Sequence, residues 1–161
     1  FGEPLFQTKD VEEVLGLKTV SLLNEDLATL CGTAILREWA AEEGLTREIL
    51  ENHSLTLLGM YLRYIDTARG APHLQPYYIG MGLLGLRRMI DSGFIYKEEE
   101  SGSWRVDMEK LDALYELSER DLQRQVDIAE TLDVEGAKEY LAYAQETPEI
   151  QDIIATVLGN K

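Results

Sequence analysis

The sequence predicts a mostly α-helical domain carrying one small β-hairpin. Three observations point there. Apolar residues recur near helical spacing through most of the chain. The four prolines stand at positions 4, 72, 76 and 148, so the long interiors are free of them. The period changes to two only across residues 94–107, around a polar turn. The length, 161 residues, suits a single domain over 1–161, which at this size buries enough surface to need no covalent staple.

Residues 1–17 read as an irregular lead-in, with a helical turn or two between Thr8 and Leu15. From Lys18 the residues Val20, Leu23, Leu27, Leu30, Ile35 and Trp39 predict a helix ending near Gly44. Thr46 is an N-cap for a second helix, which starts its apolar face at Ile49 and Leu50. That helix runs to about Arg69 and is broken by Gly70-Ala71-Pro72. A third runs from about Leu74 to Ser92, with Pro76 in its first turn and Gly93 as its stop.

FIYKE (94–98) and SWRVD (103–107) alternate and flank a polar turn, which predicts the hairpin. Asp107 caps a long helix with Met108, Leu111, Leu114, Leu117, Leu122 and Ile128 on one face. Asp133 to Glu146 and Pro148 to Leu158 give two last, shorter helices. The expected core contains Leu23, Leu27, Leu30, Ile35, Leu57, Leu58, Tyr61, Leu83, Leu84, Ile90, Leu111, Leu114 and Leu117. Trp104 is expected to pack on the helices, since an isolated hairpin cannot bury a face.

Fifteen basic and 30 acidic residues give a net charge of −15. Such a surface repels phosphate backbones and anionic lipid, so neither nucleic acid nor a membrane is an expected partner. No run of about 18 apolar residues occurs. The start, FGEPLFQTKD, lacks the basic and apolar regions of a signal peptide, so a cytoplasmic location is expected. A first residue of Phe favours a portion of something longer. One cysteine, Cys31, excludes a disulfide framework and a cysteine-built zinc site.

The two histidines, His53 and His73, lie 20 positions apart, and no HExxH signature occurs. His53 reads as a hydrogen-bonded structural residue, His73 as an exposed or capping one. Cys31 reads as a small buried hydrophobe. The pair Glu25-Asp26 interrupts an apolar surface, VSLLNEDLATLCG, and reads on general grounds as a solvent face. Gly80, Gly82 and Gly85 favour close helix packing over phosphate binding, because no strand precedes them and no Lys follows. Tyr61, Tyr64, Tyr77 and Tyr78 flank the break, as a core rim or as the wall of a cleft.

The order TVSLLNEDLATLCGTAILREWAAEEGL, long helix, break, glycine-bearing helix and MIDSGFIYKEEESGSWRVDMEKLDALYEL resembles the C-terminal helical half of dipeptidyl peptidase III-like zinc peptidases, in their Nudix-associated bacterial branch. The likeness covers roughly residues 17 to 145, and the hairpin with VDMEKL is its most specific piece. The family's second metal helix carries an EExxAD-type motif, which lands on Asn24 to Thr29. Its zinc-binding glutamate falls on Glu25, its helper glutamate on Asn24 and its last acid on Thr29, so only Glu25 and Ala28 keep the family residue. The family's substrate-contacting histidine falls on Tyr78 by direct count, or on His73 with a gap. Its arginines are partly represented by Arg63 and Arg69.

The resemblance thus implies binding residues Glu25, Arg63, His73, Tyr77 and Tyr78, with Glu25 facing a groove beside Tyr77 and Tyr78. The family's first metal helix, HExxH or HExxGH, has no counterpart between Phe1 and Val20. Zinc catalysis needs three protein ligands and an open position, so no cofactor is expected in the chain alone. Zinc would enter only if an upstream region supplied histidines. The expectation is a diverged or partial metallopeptidase-like domain, not competent alone, whose cleft an upstream segment or partner chain completes. A repurposed domain binding a peptide or small molecule is the alternative, or an enzyme of new chemistry in the inherited cleft.

Overall fold

A computed structural model describes residues 9–70 and 76–159. They form seven α-helices and one two-stranded sheet, the mostly α architecture with a hairpin that the periodicity predicts. Helix α1 (Lys9–Leu15) meets α2 (Leu17–Glu42) at Gly16, whose φ of 83° lets the chain turn sharply between two helices. A short turn then returns the chain into α3 (Arg47–Gly70), where the Thr46 carbonyl accepts the Ile49 N–H at 3.0 Å. Helix α4 (Pro76–Asp91) opens on its proline and stops at Gly93, with φ 76°.

Helix α4 is the centre of the fold. Every residue from Gly80 to Leu86 is buried, and so are Arg88 and Met89. Its glycines let other helices come close, as expected of them. A Cβ on Gly80 would meet the Leu22 side chain at 2.7 Å, and one on Gly82 the Tyr61 carbonyl at 2.8 Å. One on Gly85 would enter the Tyr61 ring.

Strands β1 (Ile95–Lys97) and β2 (Trp104–Val106) pair antiparallel with Ile95 opposite Val106. The Trp104 indole N–H donates to Asp152 at 2.8 Å, which fastens the hairpin to the last helix. The Asp107 carboxylate accepts the Glu109 N–H at 2.9 Å and starts a single 3-10 turn, Met108–Lys110, that leads into α5 (Leu111–Thr131). Asp133 caps α6 (Val134–Ala142) and Thr147 caps α7 (Pro148–Leu158).

Two expectations need correction. Helix α6 ends at Ala142 and not at Glu146. Its last turn tightens through Tyr143 and Ala144 N–H bonds to carbonyls three residues back, and Thr147 must be extended before Pro148. The second correction is Ile35, expected in the core but 64% exposed, with Trp39 beside it at 54%. Helix α2 carries apolar residues all round, and its buried arc runs through Val20, Leu23, Asp26, Leu30, Thr33 and Ala40. Ile35 lies nine residues beyond Asp26, two and a half turns, and so points the opposite way.

Leu117 is a further exception, half-buried and outside both clusters; the rest of the expected core is buried or packed against it. Tyr61, Ile65, Leu86, Phe94 and Leu111 belong to one cluster, with Ile150 and Ile154 of α7. Val20, Leu23, Leu84, Ile128 and Tyr140 belong to a second, under α1 and α6. Leu114 is 5% exposed in the first. Leu114→Ala is expected to cost about 2–5 kcal/mol. A denaturant midpoint left unchanged by that substitution would contradict its placement.

Candidate functional site

A buried polar network lies where α2, α4, α5 and α6 meet. Asp26 and Gln125 are wholly buried, and Arg88 is 4% exposed. An Arg88 Nη2 donates to the Asp26 carboxylate at 3.0 Å, while its Nε donates to Asp121 at 2.7 Å. Gln125 Nε2 and the Tyr140 hydroxyl also donate to Asp26, at 2.7 and 2.5 Å. Burial pushes the Tyr140 phenol far up, with Asp26 adding to the effect. Burial also raises the Tyr61 phenol, to about 12, against the pull of Arg88. For Arg88, burial opposes the charge, but Asp26 and the other acids around it outweigh that and hold the guanidinium charged. Both phenols are therefore neutral, and Asp26 is saturated with donors. This arrangement ties four helices together, with the Gln125 Oε1 left as a buried acceptor without a hydrogen-bond partner among the described residues.

The candidate binding site lies on α3 and α4. A groove of about 660 Å³ is lined by Thr56, Gly59, Met60, Arg63, Tyr64, Thr67 and Ala68 of α3 and by Tyr78 of α4. The Tyr64 and Tyr78 rings stack in it, with centroids 5.0 Å apart and planes inclined by 19°. Arg63 is an exposed cation at this wall.

Of the residues singled out from the sequence, Arg63 and Tyr78 are thus brought together. Glu25 is half-buried on α2 and is not among the groove residues. It shares a helix face with Leu22, which packs at Gly80, and Thr29, whose hydroxyl is 3.7 Å from the Met81 sulfur. That face looks toward the start of α4. Tyr77 falls in the first turn of α4, but its side chain lies outside the described residues, and so does the whole of His73.

His53 ties α3 to α2. Thr33 donates its own hydroxyl proton to the Thr29 carbonyl at 2.9 Å. The same hydroxyl lies 3.3 Å from His53 Nε2, within hydrogen-bond reach. Burial lowers the His53 pKa and raises that of the half-buried Cys31 thiol. Among the described residues no three His, Cys, Asp or Glu side chains gather in a way that would hold a metal ion. Those residues do not by themselves fit a zinc site.

Sequence reasoning missed Asp26 and Arg88, although a signal for them exists. Asp26 stands three residues after Leu23 and four before Leu30, and Arg88 lies between Leu84 and Met89. A charge inside each of two buried stripes must find a partner, and the two charges are opposite. No described helix is long and apolar enough to cross a membrane. Comparison with known protein families, with curated proteins and with solved structures gives no match.

Proposed function

We propose that this chain is a peptide-binding helical domain of the dipeptidyl peptidase III-like kind, a diverged or partial form that does not hydrolyse peptides alone. The observation that carries the binding role is the groove with its stacked Tyr64–Tyr78 wall and the Arg63 cation. Aromatic faces give a peptide a large contact area at little cost in side-chain entropy. The guanidinium offers a forked donor to a carboxylate. The net charge of −15 disfavours anions at long range, so a zwitterionic peptide is the fitting ligand. Its amino end is at home on the acidic surface and its carboxylate meets Arg63. Zinc chemistry belongs to this reading only with histidines from an upstream region, and a cytoplasmic setting is part of the same proposal.

The test is calorimetric titration with short peptides bearing a free α-carboxylate, alongside their C-terminal amides. The free acids are expected to bind more tightly. Arg63→Ala is expected to weaken them by about 1.5 kcal/mol, close to tenfold, with the amides little affected. Equal affinity of acids and amides, or an Arg63→Ala protein that binds as the parent does, would refute the assignment.

A further inference from the structure

Among the described residues, nothing covers one face of helix α2. Ile35 is 64% and Trp39 54% exposed, one turn apart, and Ala28 and Gly32 continue the same exposed stripe. The stripe from Ala28 to Trp39 is about 16 Å long. Isolated exposed hydrophobics are ordinary, but here a tryptophan and an isoleucine stand side by side on one helix, and tryptophan dominates protein contacts when it is desolvated.

Gly32 belongs to the same stripe. Glycine is a poor helix former, and its missing side chain permits a close approach. At Gly80, Gly82 and Gly85 what comes close belongs to this chain. At Gly32, as at Gly59 of α3, a Cβ would meet none of the described residues within 4 Å. The close approach that a glycine permits there is open to a partner from outside.

The rim has one sign of charge. Glu38 and Glu42 flank the stripe on one side, with Glu25 and Glu43 on the other. Between residues 24 and 43 the one basic residue is Arg37, on the far side of the helix, where its Nη1 donates to Glu119 at 2.8 Å. We propose that this face of α2 is the docking surface for one amphipathic helix of a partner protein, apolar along its seam and basic along its flanks. The seam would cover Ile35 and Trp39, the backbone would close on Gly32, and the basic flanks would meet the glutamates. This inference is independent of the α3–α4 groove.

The probe is a synthetic 18-residue helix, about five turns long, with a Leu/Ala seam and Lys flanks, compared with the same seam flanked by Glu. The full chain is titrated with each, with binding read by calorimetry and by tryptophan fluorescence. The Lys-flanked helix is expected to bind, to shift emission to the blue, and to weaken as salt rises. Ile35→Asp and Gly32→Gln are expected to lower its affinity about tenfold or more. Both positions face open space, so thermal midpoints near the parent's are expected and certify the comparison. Equal binding of the Lys and Glu helices, or full binding by both variants, overturns the proposal. So does a parent chain that sediments as a dimer and becomes a monomer on Ile35→Asp, since the occupant is then a second copy.

Discussion

Arg88→Ala is expected to destabilise the protein by about 3–5 kcal/mol, the loss typical of a buried ion pair stripped of one member. Asp26, wholly buried, would lose its cation. Asp121, now paired to the Arg88 Nε at 2.7 Å, would lose the same partner. Two neutral donors, Gln125 and Tyr140, would still touch Asp26 but cannot replace a guanidinium. For a chain of this length the loss corresponds to a fall of roughly 6–20 °C in Tm. The companion variant Asp26→Leu with Arg88→Met separates pairing from packing. It removes both charges and keeps apolar bulk, and it is expected to recover a large part of the loss. A single Arg88→Ala substitution costing under about 1 kcal/mol would mean that the pair is neither buried nor coupled.

The network also shows where the sequence was legible and where it was not. Periodicity is local, so it found the helices and the hairpin, and Gly93, Asp107 and Pro148 placed their ends closely. What periodicity does not supply is which side of a helix faces inward when apolar residues surround it. Helix α2 is such a case. Its apolar side chains tolerate two orientations, and the choice falls to Asp26, which must reach Arg88 62 positions away. Once Asp26 points inward, Ile35 and Trp39 point outward. A reading that counted only hydrophobic residues put Ile35 inside for that reason. Tyr78 stood out in the sequence as a member of the tyrosine cluster beside the break, whereas nothing in the local pattern marked Arg63. The stacking partner Tyr64 was visible only as one member of a tyrosine cluster, because the break between α3 and α4 hides which rings meet.

Phe94→Ala is the second large effect, expected at about 3–5 kcal/mol. Phe94 is wholly buried, at the junction where α4 ends and β1 begins. Its ring belongs to the cluster of Tyr61, Leu86, Met89 and Leu111, joined by Ile150 and Ile154 of α7. Its carbonyl accepts the Asp107 N–H at 2.8 Å and so closes the base of the hairpin. A two-stranded hairpin is marginal by itself, and strands of three residues have little else to hold them. Removing the ring leaves a cavity and loosens the hairpin's attachment in one step. The global loss should therefore come with a local one, a fall in amide protection at Tyr96 and Arg105 larger than at the centre of α5. Phe94→Leu retains apolar bulk and should cost less than half as much. Were the hairpin amides to exchange no faster in Phe94→Ala than in the parent, the hairpin would owe its place to the Trp104–Asp152 bond and not to the buried ring.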